Sequence, residues 1–266
     1  MNILKLQKVE HDYKIRDILP QLEPNVFEDT IFEEDGELIG FYIKKMPDKL
    51  IALSDIADKE FRCKNVPKQE IIRSLDKNDF GKGNRGLDLI KQLSTTLGYV
   101  APKAHMRRPY PTISSTHKSK TASTFIKSMI LLSKEFESIL KEILPNQYNE
   151  QLKLISEKVE KKWRFGNMFT STISNYNISA PLHQDRANLK GCVNFIINKK
   201  YQATGGDLFI PDFNAVINSS NNSLTVYPAF KHTHGVTPIK IHRKGGYRNT
   251  HIFYSVKQVD FFDSDY

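Results

Sequence analysis

The hydrophobic spacing of this 266-residue chain changes at Trp163, and that change constrains its fold more than any other feature. From Ser123 onward, Phe125, Met129, Leu132, Phe136, Ile139 and Ile143 recur three and four apart, the spacing of one helix face, until Pro145 interrupts it. A second stripe follows in Tyr148, Leu152, Ile155, Val159 and Trp163, with "EKVEKK" on its wet side. Beyond Trp163 the period falls to two, in runs rich in β-branched and aromatic residues: "MFTSTISNYN", "GCVNFIINK", "GDLFIPDF", "SLTVYPAF" and "NTHIFYSVK". Turn residues such as "NSSNNS" and "RKGG" separate them. One-sided helices need a sheet to cover, and many short strands suit a sandwich or small barrel. The expected fold is α+β: a mixed region over 1–120, a helical layer over 121–163, and a double-stranded β-helix core, jelly-roll or cupin-like, over 164–266.

The first region is less regular. "ELIGFYIKK" and "KLIALSDI" read as strands, and "GLDLIKQLSTTLG" as a short helix. "GKGNRG", Gly81 to Gly86, matches G-x-G-x-x-G, but no buried strand precedes it, so it reads as a basic loop. A hydrophobic content of 39% and charged content of 26% describe a soluble globular protein. No apolar run is long enough to span a bilayer, and "MNILKLQKVEHDYK" lacks a signal-peptide core, so an intracellular location is expected. Cys63 and Cys192 follow neither a disulfide nor a zinc pattern and read as buried thiols.

A formal net charge of +9 and a pI near 9.3 favour a polyanionic partner. The loop 102–120, "PKAHMRRPYPTISSTHKSK", collects Lys103, Arg107, Arg108, Lys118 and Lys120 around Tyr110 with no acidic residue. Such a loop suits a phosphate backbone, with Tyr110 stacking on a base or wedging into a duplex; the plainer reading is a solvated basic loop. The acidic end, "DFFDSDY", reads as a solvated tail.

The chemistry concentrates in "ISAPLHQDRANLKG", residues 178 to 191. In extended chain, His183 and Asp185 project to the same side and can grip one object. Two imidazoles and one carboxylate, with three positions left open, form the facial triad of non-haem iron(II). The missing imidazole is sought in "YPAFKHTHGVTPIKIHRKGGYRNTHIFYSVK", which offers His232, His234, His242 and His251.

"PLHQDRAN", "TGGDLFIPDF", "HGVTPI" and "YRNTHIFYSV" resemble, in order and approximate spacing, the motifs of the TET/JBP family of iron(II)- and 2-oxoglutarate-dependent hydroxylases of 5-methylpyrimidines in DNA. The resemblance covers residues 165 to 257. It implies His183, Asp185 and His234 as iron(II) ligands, His234 because it directly precedes the turn "GVTP"; His232, two positions earlier, stays open as a neighbouring group or as the ligand itself. It implies Arg248 as the bidentate partner of the far carboxylate of 2-oxoglutarate, with Thr250 adding a hydroxyl on the same face. Asn188, three after the aspartate, is implied to read a flipped base, and its amide suits either 5-methylcytosine or thymine. The plain alternative for Asn188 is a turn residue. His242 and His251 read as surface or packing residues, Gly205, Gly206 and Pro211 as architecture, and Phe195 and Phe209 as core. The implied partner is methylated duplex DNA, met by a monomer without a membrane. Two other readings remain: an oxygenase acting on a protein side chain or small metabolite, and a basic DNA-binding module without turnover.

Overall fold

Side chains alternate along a strand, so a sheet covered on both sides acquires two different linings. The computed structural model describes residues 1–71, 91–102 and 108–257. Its first part supplies β1 (Asn2–Lys5), β2 (Thr30–Glu34), β3 (Glu37–Ile43), helix α1 (Asp48–Arg62), β4 (Gln69–Glu70) and β5 (Leu93–Val100). Then come β6 (Thr112–Ile113) and helices α2 (Ser123–Ile143) and α3 (Pro145–Lys158). The remainder is mostly strand: β7 (Ser171–Tyr176), β8 (Ala180–His183), β9 (Asn194–Tyr201), β10 (Ala203–Gly205) and β11 (Leu208–Ile210). It closes with β12 (Ala215–Ile217), β13 (Leu224–Tyr227), β14 (His234–Val236), β15 (Ile239–Ile241) and β16 (Tyr247–Tyr254).

A large sheet runs β1-β2-β3-β13-β9-β16-β7-β5-β4, with β6 on β5, and a small sheet runs β12-β11-β14-β8. The strands before residue 101 and those after 170 therefore share one sheet, and β10 and β15 form a separate ribbon. The helices cover the outer face of the large sheet. Phe125, Met129, Leu132 and Phe136 of α2 and Leu50 and Phe61 of α1 pack on Phe41, Phe195, Val226 and Phe253. Phe136 stacks on Phe195 with ring centroids 4.6 Å apart. Each such buried side chain contributes about 1.5–3 kcal/mol relative to exposure. β16 shows the sorting: His251 meets Phe61 and Phe125 and Phe253 meets Phe136, while Arg248, Thr250, Ile252 and Tyr254 line a cavity between the sheets.

The α2 stripe falls where its spacing predicts. Pro145 occupies the first turn of α3, where its missing N–H costs nothing, and Leu144 between the helices is non-helical at φ −131°, ψ 69°. α3 stops at Lys158, so Val159 and Trp163 lie beyond it, in a small cluster with Ile155 and Cys192.

Three expectations are corrected. "KLIALSDI" is not a strand but the first half of α1, because Leu50, Ser54, Ala57 and Phe61 are buried at helical spacing; the short run "LIAL" suited either period. "GLDLIKQLSTTLG" is not helical over its described part: Leu93–Gly98 pairs residue by residue with Tyr176–Ser171 of β7. There Gly98, at φ +83°, lets the chains meet where a β-carbon would lie 2.3 Å from the Thr170 carbonyl. Cys63 is exposed, just past α1, whereas Cys192 is buried and its thiol is pushed up to about 12 by desolvation. Gly81 to Gly86 and the acidic end lie outside the described residues. No helix among the described residues is long and apolar enough to cross a membrane.

Candidate metal centre and its cavity

Antiparallel pairing of β14 with β8 brings His234 directly opposite His183, with ring centroids 4.4 Å apart. Each imidazole is oriented by its own strand. His183 Nδ1 donates to the Pro181 carbonyl at 2.8 Å, and His234 Nδ1 donates to the His232 carbonyl at 3.0 Å. This choice of tautomer leaves both Nε2 lone pairs for a metal. Asp185 Oδ1 lies 3.6 Å from His183 Nε2, and one ligand atom from each of the three residues falls within 4.8 Å of the others. Burial, then the neighbouring His183, pushes His234 down to about 4, so it is neutral at pH 7, the form a metal takes up. His183 is 42% exposed, which leaves an open side for exogenous ligands.

Asp185 is held from behind. Its Oδ2 accepts from Asn194 Nδ2 at 3.2 Å and from Asn188 Nδ2 at 3.4 Å, and Asn188 Nδ2 also donates to Asn194 Oδ1 at 3.0 Å. His232 stands apart from the cluster: its carbonyl serves His234, but its ring turns the other way, with Nε2 3.1 Å from Glu34 Oε2.

The triad opens into a cavity of about 440 Å³. Its floor is ordered in cross-strand rows. Asn198 of β9, Thr250 of β16, Asn175 of β7 and Ser94 of β5 are register partners, and Ser94 Oγ donates to Asn175 Oδ1 at 2.8 Å. Beside that row lies an apolar one of Ile196, Ile252 and Ile173. Arg248 lines the same cavity and is buried. Its Nη2 donates to Asn198 Oδ1 at 3.2 Å and more weakly to Ser219 Oγ at 3.4 Å, while its buried Nε has no partner among the described residues. Desolvation lowers Arg248 to about 10, against the opposing pull of Asp207, so it stays charged at pH 7. Gly206, at φ +72°, makes room for it.

This donor set fits the cofactors expected from the sequence, iron(II) and 2-oxoglutarate. Two imidazoles and a carboxylate with an open side suit non-haem iron(II), and a buried arginine with an unpartnered N–H suits a carboxylate.

The other anticipated residues are more dispersed. Thr250 lines the cavity and donates to the Asn175 carbonyl at 3.3 Å. Asn188 lines it as well, tied to Asp185. Arg108 is spent on the fold, with Nη1 3.2 Å from the Val100 carbonyl and Nη2 on that of Ala101, whereas Tyr110 is 58% exposed. Lys103 and Arg107 lie outside the described residues. His242 bonds Thr204, and His251 bonds Ser174 among aromatic rings. Phe195 and Phe209 are core. Sequence reasoning missed Asn175, Asn194, Asn198 and Glu34. The asparagines left one signal: Asn194 and Asn198 share a strand face with Ile196 inside an apolar run, where asparagine is otherwise disfavoured.

Comparison with solved structures gives a fold likeness to NgTET1 in complex with 5mC DNA, with a TM-score of 0.60 at 13% identity, covering 96% of this chain and 82% of that one. An oxidoreductase of the 2OG-Fe(II) oxygenase family from Burkholderia pseudomallei is similar at a TM-score of 0.41 and 10% identity, covering 76% of this chain and 77% of that one. A 2OG-Fe(II) oxygenase family protein from Caulobacter crescentus is similar at 0.45 and 12%, covering 81% and 77%. No protein-family model matches the chain. No curated protein matches it by sequence.

Proposed function

We propose that this chain is an iron(II)- and 2-oxoglutarate-dependent dioxygenase, built on a double-stranded β-helix, that hydroxylates the 5-methyl group of a flipped pyrimidine in DNA, with 5-methylcytosine as the preferred base. One observation carries the oxygenase reading: a single cavity holds His183, Asp185 and His234 together with the buried, incompletely partnered Arg248. Iron(II) with 2-oxoglutarate supplies, when bound, the oxidation of a methyl group coupled to decarboxylation of the keto acid. In this reading His183, Asp185 and His234 hold the metal. Arg248 pairs with the far carboxylate of 2-oxoglutarate, and Thr250 lies on the same lining. Ile173, Ile196 and Ile252 exclude water.

The DNA reading draws on the motif resemblance, the net charge of +9, and the fold likeness to a protein solved with 5mC DNA. A stacked base cannot bring its methyl to a buried metal, so the nucleotide swings out. The hydrogen-bond chain behind Asp185 supports cytosine. An ionised carboxylate only accepts, so Asn194 must turn Nδ2 toward Asp185 and Oδ1 toward Asn188, whose own Nδ2 answers it. Asn188 is left with its carbonyl oxygen, an acceptor that suits the exocyclic amine of cytosine and not the O4 of thymine. Arg107, Tyr110, Lys118 and Lys120 are proposed to meet the DNA backbone.

The test is turnover of 2-oxoglutarate with 5-methylcytosine duplex, unmethylated duplex or no DNA, alongside Arg248→Met. Stimulation by the methylated duplex, lost in the variant, is expected. Equal turnover in all three conditions would leave an oxygenase of another substrate.

A further inference from the structure

β2 ends at Glu34, and the next two residues, Asp35 and Gly36, both have positive φ, +52° and +85°. That is the geometry of a two-residue hairpin turn, and Asp-Gly is a preferred sequence for it. The turn returns the chain into β3 with Glu34 opposite Glu37, which fixes Glu34 beside the segment leading from β13 to β14. There its side chain is 3% exposed, a depth at which a carboxylate needs partners. It has two on that segment: Lys231 Nζ at 2.6 Å and His232 Nε2 at 3.1 Å, both on Oε2. Phe213 closes the pocket, edge-on to the His232 ring at 4.9 Å. The segment is also gripped from the metal side, where Gln184 Nε2, between the ligands His183 and Asp185, donates to the carbonyls of Phe230 at 2.8 Å and Lys231 at 3.1 Å. Directly after these two grips along the chain comes the His232 carbonyl, the acceptor that orients His234.

We infer that Glu34 is a positioning residue of the metal centre: by clamping Lys231 and His232 it fixes the carbonyl that turns His234 Nε2 toward His183 and Asp185. The inference rests on reading those three residues as metal ligands. It gives the β2–β3 hairpin, remote in sequence, a direct part in the site. Loss of a partner that orients a metal-bound imidazole weakens metal binding by about 10–100-fold.

The experiment titrates metal-free protein with Co(II), following the visible absorption of the bound ion in wild type, Glu34→Ala, Glu34→Gln and the control Glu28→Ala. Glu28 is an exposed carboxylate that pairs with Lys44 away from the site. We expect Glu34→Ala to bind Co(II) about 10–100-fold more weakly and with an altered absorption band. Glu34→Gln, which keeps an acceptor for His232 but loses the charge facing Lys231, falls between, and Glu28→Ala matches wild type. If Glu34→Ala fails to fold, the affinity and band of Glu34→Gln decide. Wild-type affinity and absorption in the folded Glu34 variants would overturn the inference and leave the metal reading standing. A wild-type protein that binds no Co(II) would overturn both.

Discussion

Gly206→Ala puts the cosubstrate end of the cavity to a quantitative test. Gly206 has φ +72°, and a β-carbon there would lie 2.4 Å from Arg248 Cδ and 2.6 Å from Nε. Carbon atoms pack at about 3.5–4.0 Å, so the arginine must retreat by roughly 1 Å. The left-handed backbone adds a strain of about 1 kcal/mol to the folded state whatever the space. A retreat of that size breaks a paired guanidinium–carboxylate contact, and a hydrogen bond to a charged group is worth about 1.5–3 kcal/mol. At 1.4 kcal/mol per tenfold, affinity for 2-oxoglutarate should fall by roughly 10- to 100-fold. Anaerobic calorimetric titration of Co(II)-loaded protein with 2-oxoglutarate measures this, and Co(II) affinity without 2-oxoglutarate should be unchanged because the triad is untouched. A folded Gly206→Ala that binds 2-oxoglutarate within about twofold of wild type would refute the reasoning.

Three further outcomes are expected. Asn194→Ala removes the shorter of the two contacts that orient the Asn188 amide, the other being Asp185, so preference for 5-methylcytosine over thymine in a mixed-substrate competition should shrink by up to roughly tenfold, a hydrogen bond's worth; an unchanged product ratio would count against the amide chain. His251 is held down to about 4 by burial, against an ordinary 6.5, so on acidification the unfolded chain takes up its proton first. Its contribution is intact above pH 6.5 and is lost progressively toward pH 4. By pH 5 that loss is about 2 kcal/mol, and His251→Phe should flatten the dependence in urea melts, whereas a parallel pH profile would contradict it. A thiol reagent at neutral pH should modify Cys63 in the native protein and Cys192 only after unfolding; two fast thiols would contradict the burial.

What the sequence made legible was whatever periodicity and local spacing encode. The α2 stripe and the late strands followed from three-four and two-residue periods, and His183 with Asp185 followed from a two-residue spacing on an extended chain. The short apolar run in "KLIALSDI" carried no decisive period, and only the packing of Phe61 and Ala57 against neighbouring layers makes it α1. "LSTTLG" became β5 because β7 offered it a register, a long-range fact. The same limit hid much of the site's support. Asn194, Asn175 and Glu34 act through partners 9, 81 and 198 residues away, on strands whose adjacency no local pattern states.

The most direct measurement is mass spectrometry of nucleosides released from duplex DNA containing 5-methylcytosine and thymine, after incubation with the protein, iron(II) and 2-oxoglutarate, with Asp185→Ala in parallel. The expected result is 5-hydroxymethylcytosine in excess of 5-hydroxymethyluracil, absent from the variant. Conversion of 2-oxoglutarate to succinate with neither modified nucleoside would contradict the assignment to DNA, and no conversion at all would contradict the oxygenase.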